Sequence, residues 1–434
     1  MAKQFFPMKL LWKWVLAVLT LIFTGWTVQA QPLMSLSYED ACKAVRNHSP
    51  LRDNPAMLAE MTKLATHNIN AAWLPQATMN AQAGWQSEVT YLNIPLPSVA
   101  LPDIPRDHYK LSIDVSQLIY NGKASGYRKN LERLQYQAST LDVEMQLDAL
   151  EQQVDALFFQ ILLLRRQCNI LQWQKKALEA RRQACERRQL NGMSTQGDCA
   201  LLEAAIVQVK QKQTENSYSH ASVLKQLCLI TGLSLHDSVA ISLPHYSAEQ
   251  HDQTYNRKDL KYLGLKQEMA DAQMQLTLAR KKPVAMAFLN AGYGRPGLNM
   301  LDPDFSPWLM TGVRFTLPLL QWGIPDREAH MAGLQKELTL HQQQNLLKNL
   351  DLKNAELEYE IIKTQELLEN DRQLVQLRQK ISAEAKSQYD HGLLTAPELT
   401  ARLAEEAEAS LSLEIHQLQL EYARLKKYKL IHNP

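Results

Sequence analysis

Apolar residues between positions 131 and 171 recur at alternating intervals of three and four. Leu131, Leu134, Ala138, Leu141 and Met145 form one row, and Leu147, Leu150, Val154, Leu157, Ile161, Leu164, Cys168 and Leu171 form a second. This is coiled-coil spacing, which keeps one helix face against a partner over many turns. It predicts a helix over about 123–190, roughly 100 Å long at 1.5 Å per residue and too long for one compact domain. The offset between the rows implies a stripe that shifts, or partners on two faces. A stretch of similar length, about 323–390, follows in the second half, and shorter helices return at about 195–231 and 396–430.

The turns that join these helices are written twice. Leu190-Asn191-Gly192-Met193-Ser194-Thr195-Gln196-Gly197-Asp198 recurs as Asp390-His391-Gly392-Leu393-Leu394-Thr395-Ala396-Pro397-Glu398. A repeat at about 200 residues makes the two halves versions of one unit. Each half also opens alike. A helix over 36–73, capped by Ser37 or Ser35, breaks at Asn47-His48-Ser49-Pro50 and resumes as far as Trp73-Leu74-Pro75. Its counterpart runs from Asn256-Arg257-Lys258-Asp259-Leu260 to Lys282-Pro283.

Beyond these prolines the period changes from helical to two. Tyr109, Leu111, Ile113 and Val115 alternate with Lys110, Ser112, Asp114 and Ser116, and Met79, Ala81, Ala83 and Trp85 alternate with Asn80, Gln82, Gly84 and Gln86. Such alternation predicts strands with one apolar and one wet face. The second half offers strands at 284–293 and 308–319, the latter with Leu309, Val313, Phe315, Leu317 and Leu319 on one face. Loops at about 92–107 (Pro95, Pro97, Pro102, Pro105) and 294–307 (Pro296, Pro303, Pro307) join the strands into hairpins at about 77–119 and 284–319. The expected organisation is a leader at 1–30, a first repeat at 31–233, a polar linker at 234–255 and a second repeat at 256–434.

The leader follows from charge and hydropathy. Lys3, Lys9 and Lys13 precede an apolar run from Val15 to Phe23, and Val28-Gln29-Ala30 is a small-residue cleavage site. This is the layout of a secretory signal peptide cleaved after Ala30, with an apolar run too short to span a membrane. The chain carries 47 Lys and Arg against 45 Asp and Glu. Removing three leader lysines leaves it near neutrality, with no basic excess to suggest nucleic acid. The five cysteines (Cys42, Cys168, Cys185, Cys199, Cys228) make neither a zinc pattern nor a dense disulfide framework. Cys185 and Cys199 lie equally far from Gly192, so a hairpin there brings them close, but two inert thiols are the expectation. No HExxH, GxSxG, P-loop or dinucleotide fingerprint occurs, so an enzyme is not expected. Met57 and Met61 have the spacing for a soft metal, yet methionines so placed are ordinarily core; no metal or cofactor is expected.

Four half-apolar strands cannot close a barrel, and an open sheet edge is not tolerated in lipid. Either the strands form a small soluble sheet capping the helices, or several chains build one barrel. Strand lengths near 9–11 residues and aromatic residues near strand ends (Trp85, Tyr91, Tyr109, Trp308) favour the membrane.

At this point the chain resembles the TolC-like outer-membrane efflux proteins. The resemblance is carried by Leu36-Ser37-Tyr38-Glu39-Asp40-Ala41, Trp73-Leu74-Pro75 and Asn256-Arg257-Lys258-Asp259-Leu260. Leu118-Ile119-Tyr120-Asn121-Gly122, Leu319-Leu320-Gln321-Trp322-Gly323 and the turns at Gly192 and Gly392 complete it. It implies a mainly α fold with a transmembrane β-barrel portion and a two-fold internal repeat. Four strands per chain would close as a homotrimeric α/β barrel in the outer membrane, with a helical tunnel in the periplasm. The implied partners are a periplasmic adaptor and an inner-membrane transporter, with the channel itself passive toward small toxic molecules or exported proteins. The resemblance puts Asp198, Tyr389 and Glu398 at the tip constriction, while Leu394 and Ala401 stand where a basic and an acidic residue are familiar. Two readings of the tips remain open. Gly192 and Gly392 fit helix ends, and Thr195 with Asp198 and Thr395 with Glu398 fit capping boxes; alternatively the same turns also form a gate and dock the adaptor. A periplasmic adaptor is the alternative function, although such a protein normally has one hairpin and more strands.

Overall fold

The computed structural model describes residues 35–89, 104–192, 194–236, 239–241, 255–300 and 302–432. The leader with Ala30, Tyr91, Pro95, Pro97, Pro102 and most of the 234–255 linker lie outside the described residues.

Ser37 caps α1 (Tyr38–His48) by accepting the Asp40 N–H, with Glu39 and Asp40 in the first turn. Ser35 instead lies in β1 (Ser35–Leu36). Ser49 ends α1 and caps a 3-10 turn at Pro50–Asp53, after which α2 spans Asn54–Ala71. The first hairpin is β2 (Gln76–Trp85) and β3 (Asp107–Tyr120). Two consecutive left-handed residues, Gly122 and Lys123, turn the chain from β3 into α3 (Ala124–Leu190). The tip turn leads to α4 (Gln196–Thr231) and then β4 (Ala240–Ile241). The second half repeats the order with α5 (Lys258–Ala279), β5 (Val284–Arg295), β6 (Ser306–Thr316), α6 (Ile324–Asp390) and α7 (Ala396–His432).

The four long strands form one antiparallel sheet in the order β2-β3-β5-β6, so β3 and β5 join the two repeats. Within the chain β2 and β6 are the sheet edges. Two expectations are corrected. The last strand ends at Thr316, leaving Leu317 and Leu319 outside it, because Pro318 has no N–H for a ladder. The 234–255 linker is also not wholly polar connection: Ala240–Ile241 pairs in parallel with Ser35–Leu36, and Val239 and Ile241 enter the core.

That core lies midway along the long helices. Tyr38, Ala41 and Val45 of α1 pack on Val154, Phe158 and Ile161 of α3 and on Val223, Leu224 and Leu227 of α4. Tyr38 meets Phe158 edge-on at 5.9 Å. Along α3 the buried positions repeat every seven residues, Leu147, Val154 and Ile161, then Leu164, Leu171, Leu178 and Cys185. From Leu147 on these positions belong to one continuous seam of threes and fours, burial passing from one heptad column to the other between Ile161 and Leu164. In α6 the matching positions include Thr364 and Asp371, and Ser382 further along is buried as well. Asp371 holds His416 of α7 at 2.5 Å, and Ser382 donates to Glu406, so the second coiled coil is fastened partly by polar pairs.

A charged knot ties the repeats together. Asp148 of α3 accepts from Arg46 of α1 at 2.5 Å and from Lys258 of α5 at 2.9 and 2.8 Å. Glu144 and Glu151 flank it and also receive Arg46. Two turns beyond Asp148, Asp155 takes the Tyr38 hydroxyl and the Lys429 ammonium of α7. The partners of these α3 carboxylates come from α1, α5 and α7, helices far apart in sequence.

Candidate functional site

Both ends of the molecule carry features that a purely structural account leaves unused. At the sheet end the register sorts side chains by face. Ile113 stands opposite Met79 and Ala291, and Ala291 opposite Leu309. One residue on, Asp114 stands opposite Thr78 and Asn290, and Asn290 opposite Met310. The first row belongs to a face where Met79, Leu111, Ile113, Leu309, Val313 and Phe315 are all exposed. The second face carries Phe288 and Met310 but also a polar row bonded across all four strands. Asn80 and Asn290 donate to Asp114, and the Trp308 indole N–H donates to Asn290 at 2.6 Å. Trp308 lies over Gly292, whose lack of a side chain leaves room for the ring.

At the other end, about 67 residues of α3 and of α6 finish in matching turns. Gly192 and Gly392 adopt φ of +73° and +76°, the left-handed conformation that closes a helix and favours glycine. Thr195 and Asp198 form a reciprocal capping box: Thr195 Oγ1 accepts the Asp198 N–H at 3.1 Å, and Asp198 accepts the Thr195 N–H at 3.1 Å. Glu398 accepts the Thr395 N–H at 3.0 Å and its hydroxyl at 2.8 Å. The Thr195 hydroxyl and then its N–H hold the Asp198 carboxyl below its ordinary range; the Thr395 N–H and then its hydroxyl do the same for Glu398. Depressed carboxylates add stability above their unfolded pKa, about 3.9–4.3, and that contribution is lost as pH falls through the lower folded values. Hydrogen exchange at the Thr195–Asp198 and Thr395–Glu398 amides should therefore lose protection as pH drops below about 4. Asp198→Asn should flatten this dependence at the first tip only. Protection independent of pH down to the lowest folded pH would contradict the capping account.

The structure brings the two tips together in one chain. Leu171, Leu178, Cys185, Leu202 and Ile206 of the first hairpin share a core with Ala385, Tyr389, Ala396, Leu399 and Leu403 of the second. Cys185 and Cys199 are joined by a disulfide with Cα atoms 5.7 Å apart. This overturns the expectation of two inert thiols: the equal spacing from Gly192 places them at one level of the hairpin, within bridging distance. Tyr389 is buried in this core, its hydroxyl without a hydrogen-bond partner. Asp198 is occupied by Ser194 and Thr195, so the structure does not join Tyr389 to Asp198 within one chain. Leu394 packs against the shared core.

Arginines supply what the sequence reading missed. Arg188 of α3 donates to the carbonyls of Tyr389 at 2.6 Å and Asp390 at 2.7 Å, and its guanidinium lies 5.0 Å from the Tyr389 ring centre. Arg181 holds the Asp390 carboxylate at 2.9 and 3.1 Å. The doublets Arg181-Arg182 and Arg187-Arg188 at a helix end were the available signal, since cations collect where a helix exposes carbonyls.

Among the described residues no group of three or more His, Cys, Asp or Glu side chains could hold a metal ion. Met57 and Met61 are not core within the chain, being 61% and 64% exposed. They lie with Met269 along a groove of about 510 Å³ between α2, α3 and α5, because that face of α2 has no cover from its own chain. No described helix is long and apolar enough to cross a membrane.

No family model and no curated protein sequence matches the chain. Solved structures do. The outer membrane protein VceC of Vibrio cholerae superposes with a TM-score of 0.70 at 15% identity, covering 91% of this chain and 95% of that one. The CmeC outer membrane channel of Campylobacter jejuni gives 0.69 at 15% identity, over 91% and 85% of the two chains. The open state of the MtrE outer membrane channel of Neisseria gonorrhoeae gives 0.68 at 14%, over 91% and 88%. At such identities the likeness is one of fold, and it spans nearly the full length of each partner. With its duplicated hairpins, four-stranded sheet and paired helix tips, this chain has the fold of the TolC-like outer-membrane channels.

Proposed function

We propose that this protein is the outer-membrane exit duct of a tripartite efflux or secretion system. Three copies close their sheets into one barrel, with the helices continuing it through the periplasm. The observation that carries this reading is the sheet itself. Its exposed face is apolar along the row Met79, Ile113, Leu309, its other face is polar along the row Thr78, Asp114, Asn290, and β2 and β6 are each paired on one side only within the chain. Lipid demands that such edges be closed, and three identical sheets edge to edge close them. The uncovered groove of α2 and the many exposed leucines of α6, among them Leu334, Leu338, Leu374 and Leu377, then face a neighbouring copy.

In this reading residues 1–30 direct secretion and Ala30 is the cleavage point, with repeats at 31–233 and 256–434. Gly192, Thr195, Gly392 and Thr395 shape tips that dock a periplasmic adaptor, and through it an inner-membrane transporter. Asp198 and Glu398 place three carboxylates each around the mouth, and Tyr389 lies behind them. The duct is passive: no residue here is assigned a catalytic or cofactor role, and energy comes from the transporter. Small toxic molecules, or exported proteins, are the cargo.

Expression in a Gram-negative host tests this. The protein is expected in the outer-membrane fraction, as a trimer that resists dissociation in detergent until heated, and the purified trimer is expected to conduct ions across a planar lipid bilayer. Recovery as a soluble periplasmic protein without conductance would favour the adaptor reading instead.

A further inference from the structure

The face of the sheet that carries the polar row has charges that do not balance. Its Lys, Arg, Asp and Glu side chains are Lys110 and Asp114 of β3 and Arg314 of β6, while β2 and β5 contribute none. Two cations therefore stand against one acid in each chain. On the opposite face the charges cancel, since Arg295 is paired with Asp107. Arg314 shares the row of Met286 and Leu118, so the rows of Lys110 and Arg314 flank that of Asp114, each about 13 Å from it by strand rise.

The acid is engaged. Asn80, Asn290 and Ser112 all donate to Asp114, which takes up much of its accepting capacity. The cations are not engaged in this way. Among the described residues neither Lys110 nor Arg314 makes an ion pair or a side-chain hydrogen bond, and both are exposed. Each is held instead over an aromatic ring. The Lys110 ammonium lies 5.4 Å from the Trp308 ring centre, and the Arg314 guanidinium 5.3 Å from that of Phe288. Both rings lie over glycines, Gly292 and Gly312, where a Cβ would meet them at 2.1 and 3.0 Å. A ring so placed attracts the cation and positions its charge without neutralising it. Rings packed on cross-strand glycines stabilise a sheet by themselves, but that packing does not require cations that have no acid to meet them.

We propose that the sheet portion of the duct prefers anions, with Lys110 and Arg314 as the selecting residues and organic acids as the class of solute it favours. This rests on the duct reading above, in which three copies turn this face to a common lumen. Each cation then becomes one of three around a ring, and rings of Lys or Arg are the usual means by which pores favour anions. Asp114 lies between the two rings as a smaller counterweight, one carboxylate for every two cations. Substitutions on the lumen side of a barrel alter selectivity with little effect on insertion, so the two properties separate in experiment.

The test is current recording from the full-length trimer in planar bilayers, with citrate as the probe anion. Two quantities are read: the reversal potential in a potassium chloride gradient, and the citrate concentration that halves the current. Variants are Lys110→Gln combined with Arg314→Gln, each of the two alone, and Asp114→Asn. Heat-resistant trimer on a gel is the check that each has assembled. At about 0.1 M salt the double variant should need about tenfold more citrate, because a trianion loses its screened attraction to two rings of charge. Its reversal potential should move toward that of potassium. Asp114→Asn should move both quantities the other way. At about 1 M salt most of the difference should vanish, as screening shortens to about 3 Å. If the double variant does not assemble, the single ones decide, each with a shift of about threefold. Variants that assemble and conduct with unchanged citrate block and reversal potential overturn the anion preference and leave the duct intact. A wild-type trimer that never conducts overturns the duct reading, and this preference with it.

Discussion

Leu309→Arg is expected to remove this protein from the outer membrane, while Met310→Arg, one residue later, is expected to leave it there. The contrast follows from the pleat, which sends neighbouring side chains to opposite faces. Leu309 lies in the row of Ala291, Ile113 and Met79 and is 64% exposed in the single chain. That row crosses the middle of the sheet, where lipid would be deepest. An arginine facing the midplane of a bilayer costs about 2–4 kcal/mol, and a trimer bears it three times. Met310 lies in the row of Asn290 and Asp114, already polar, which in the proposed duct faces the water of the lumen. The readout is the amount of heat-modifiable trimer in the outer-membrane fraction. Equal loss in both variants, or in neither, would mean that the two faces have been assigned wrongly.

The second large effect is expected at Asp148, far from both ends. Its carboxylate is nearly buried and is shared by Arg46 and Lys258, which come from different repeats. Asp148→Ala leaves two cations facing one another across the vacated site. Removing one partner of a buried ionic cluster typically costs about 3–5 kcal/mol. The lower end is expected here, because the Arg46 side chain keeps 31% exposure and can turn to solvent or lean on Glu144 and Glu151. Adding Arg46→Met to Asp148→Ala should restore part of the loss, since the apolar stem then fills space without an unpaired charge. Thermal unfolding of the detergent-solubilised protein reads both. A double variant as unstable as the sum of the singles would contradict a shared knot.

The architecture was legible because its determinants are periodic. Rows of Leu, Val and Ile at three and four fixed the long helices to within a residue or two, period two located β2 and β3, and the proline at the end of the preceding helix marked the start of β5. The end of β6 was legible in principle, since Pro318 follows Leu317; the apolar alternation masked it. What escaped depends on residues distant in the chain. The pairing of Ser35–Leu36 with Ala240–Ile241 involves two residues a side, too few for a pattern. Asp148 carries no sign that Arg46 and Lys258 converge on it. At the tips, capping chemistry is local and was readable at Thr195 and Thr395. The Arg188 contact is not local, because it joins a side chain of one repeat to backbone carbonyls of the other, and carbonyls leave no trace in a sequence. The disulfide falls between these cases: spacing allowed Cys185 and Cys199 to meet, and only the packing of α3 on α4 decided that they do.

Everything proposed for this protein depends on how many chains share one barrel. Native mass spectrometry of the complex extracted from outer membranes in mild detergent counts them directly. Three copies per particle are predicted, because three four-stranded sheets leave no free edge. A single chain, or a particle of any other number, would contradict the duct at its foundation.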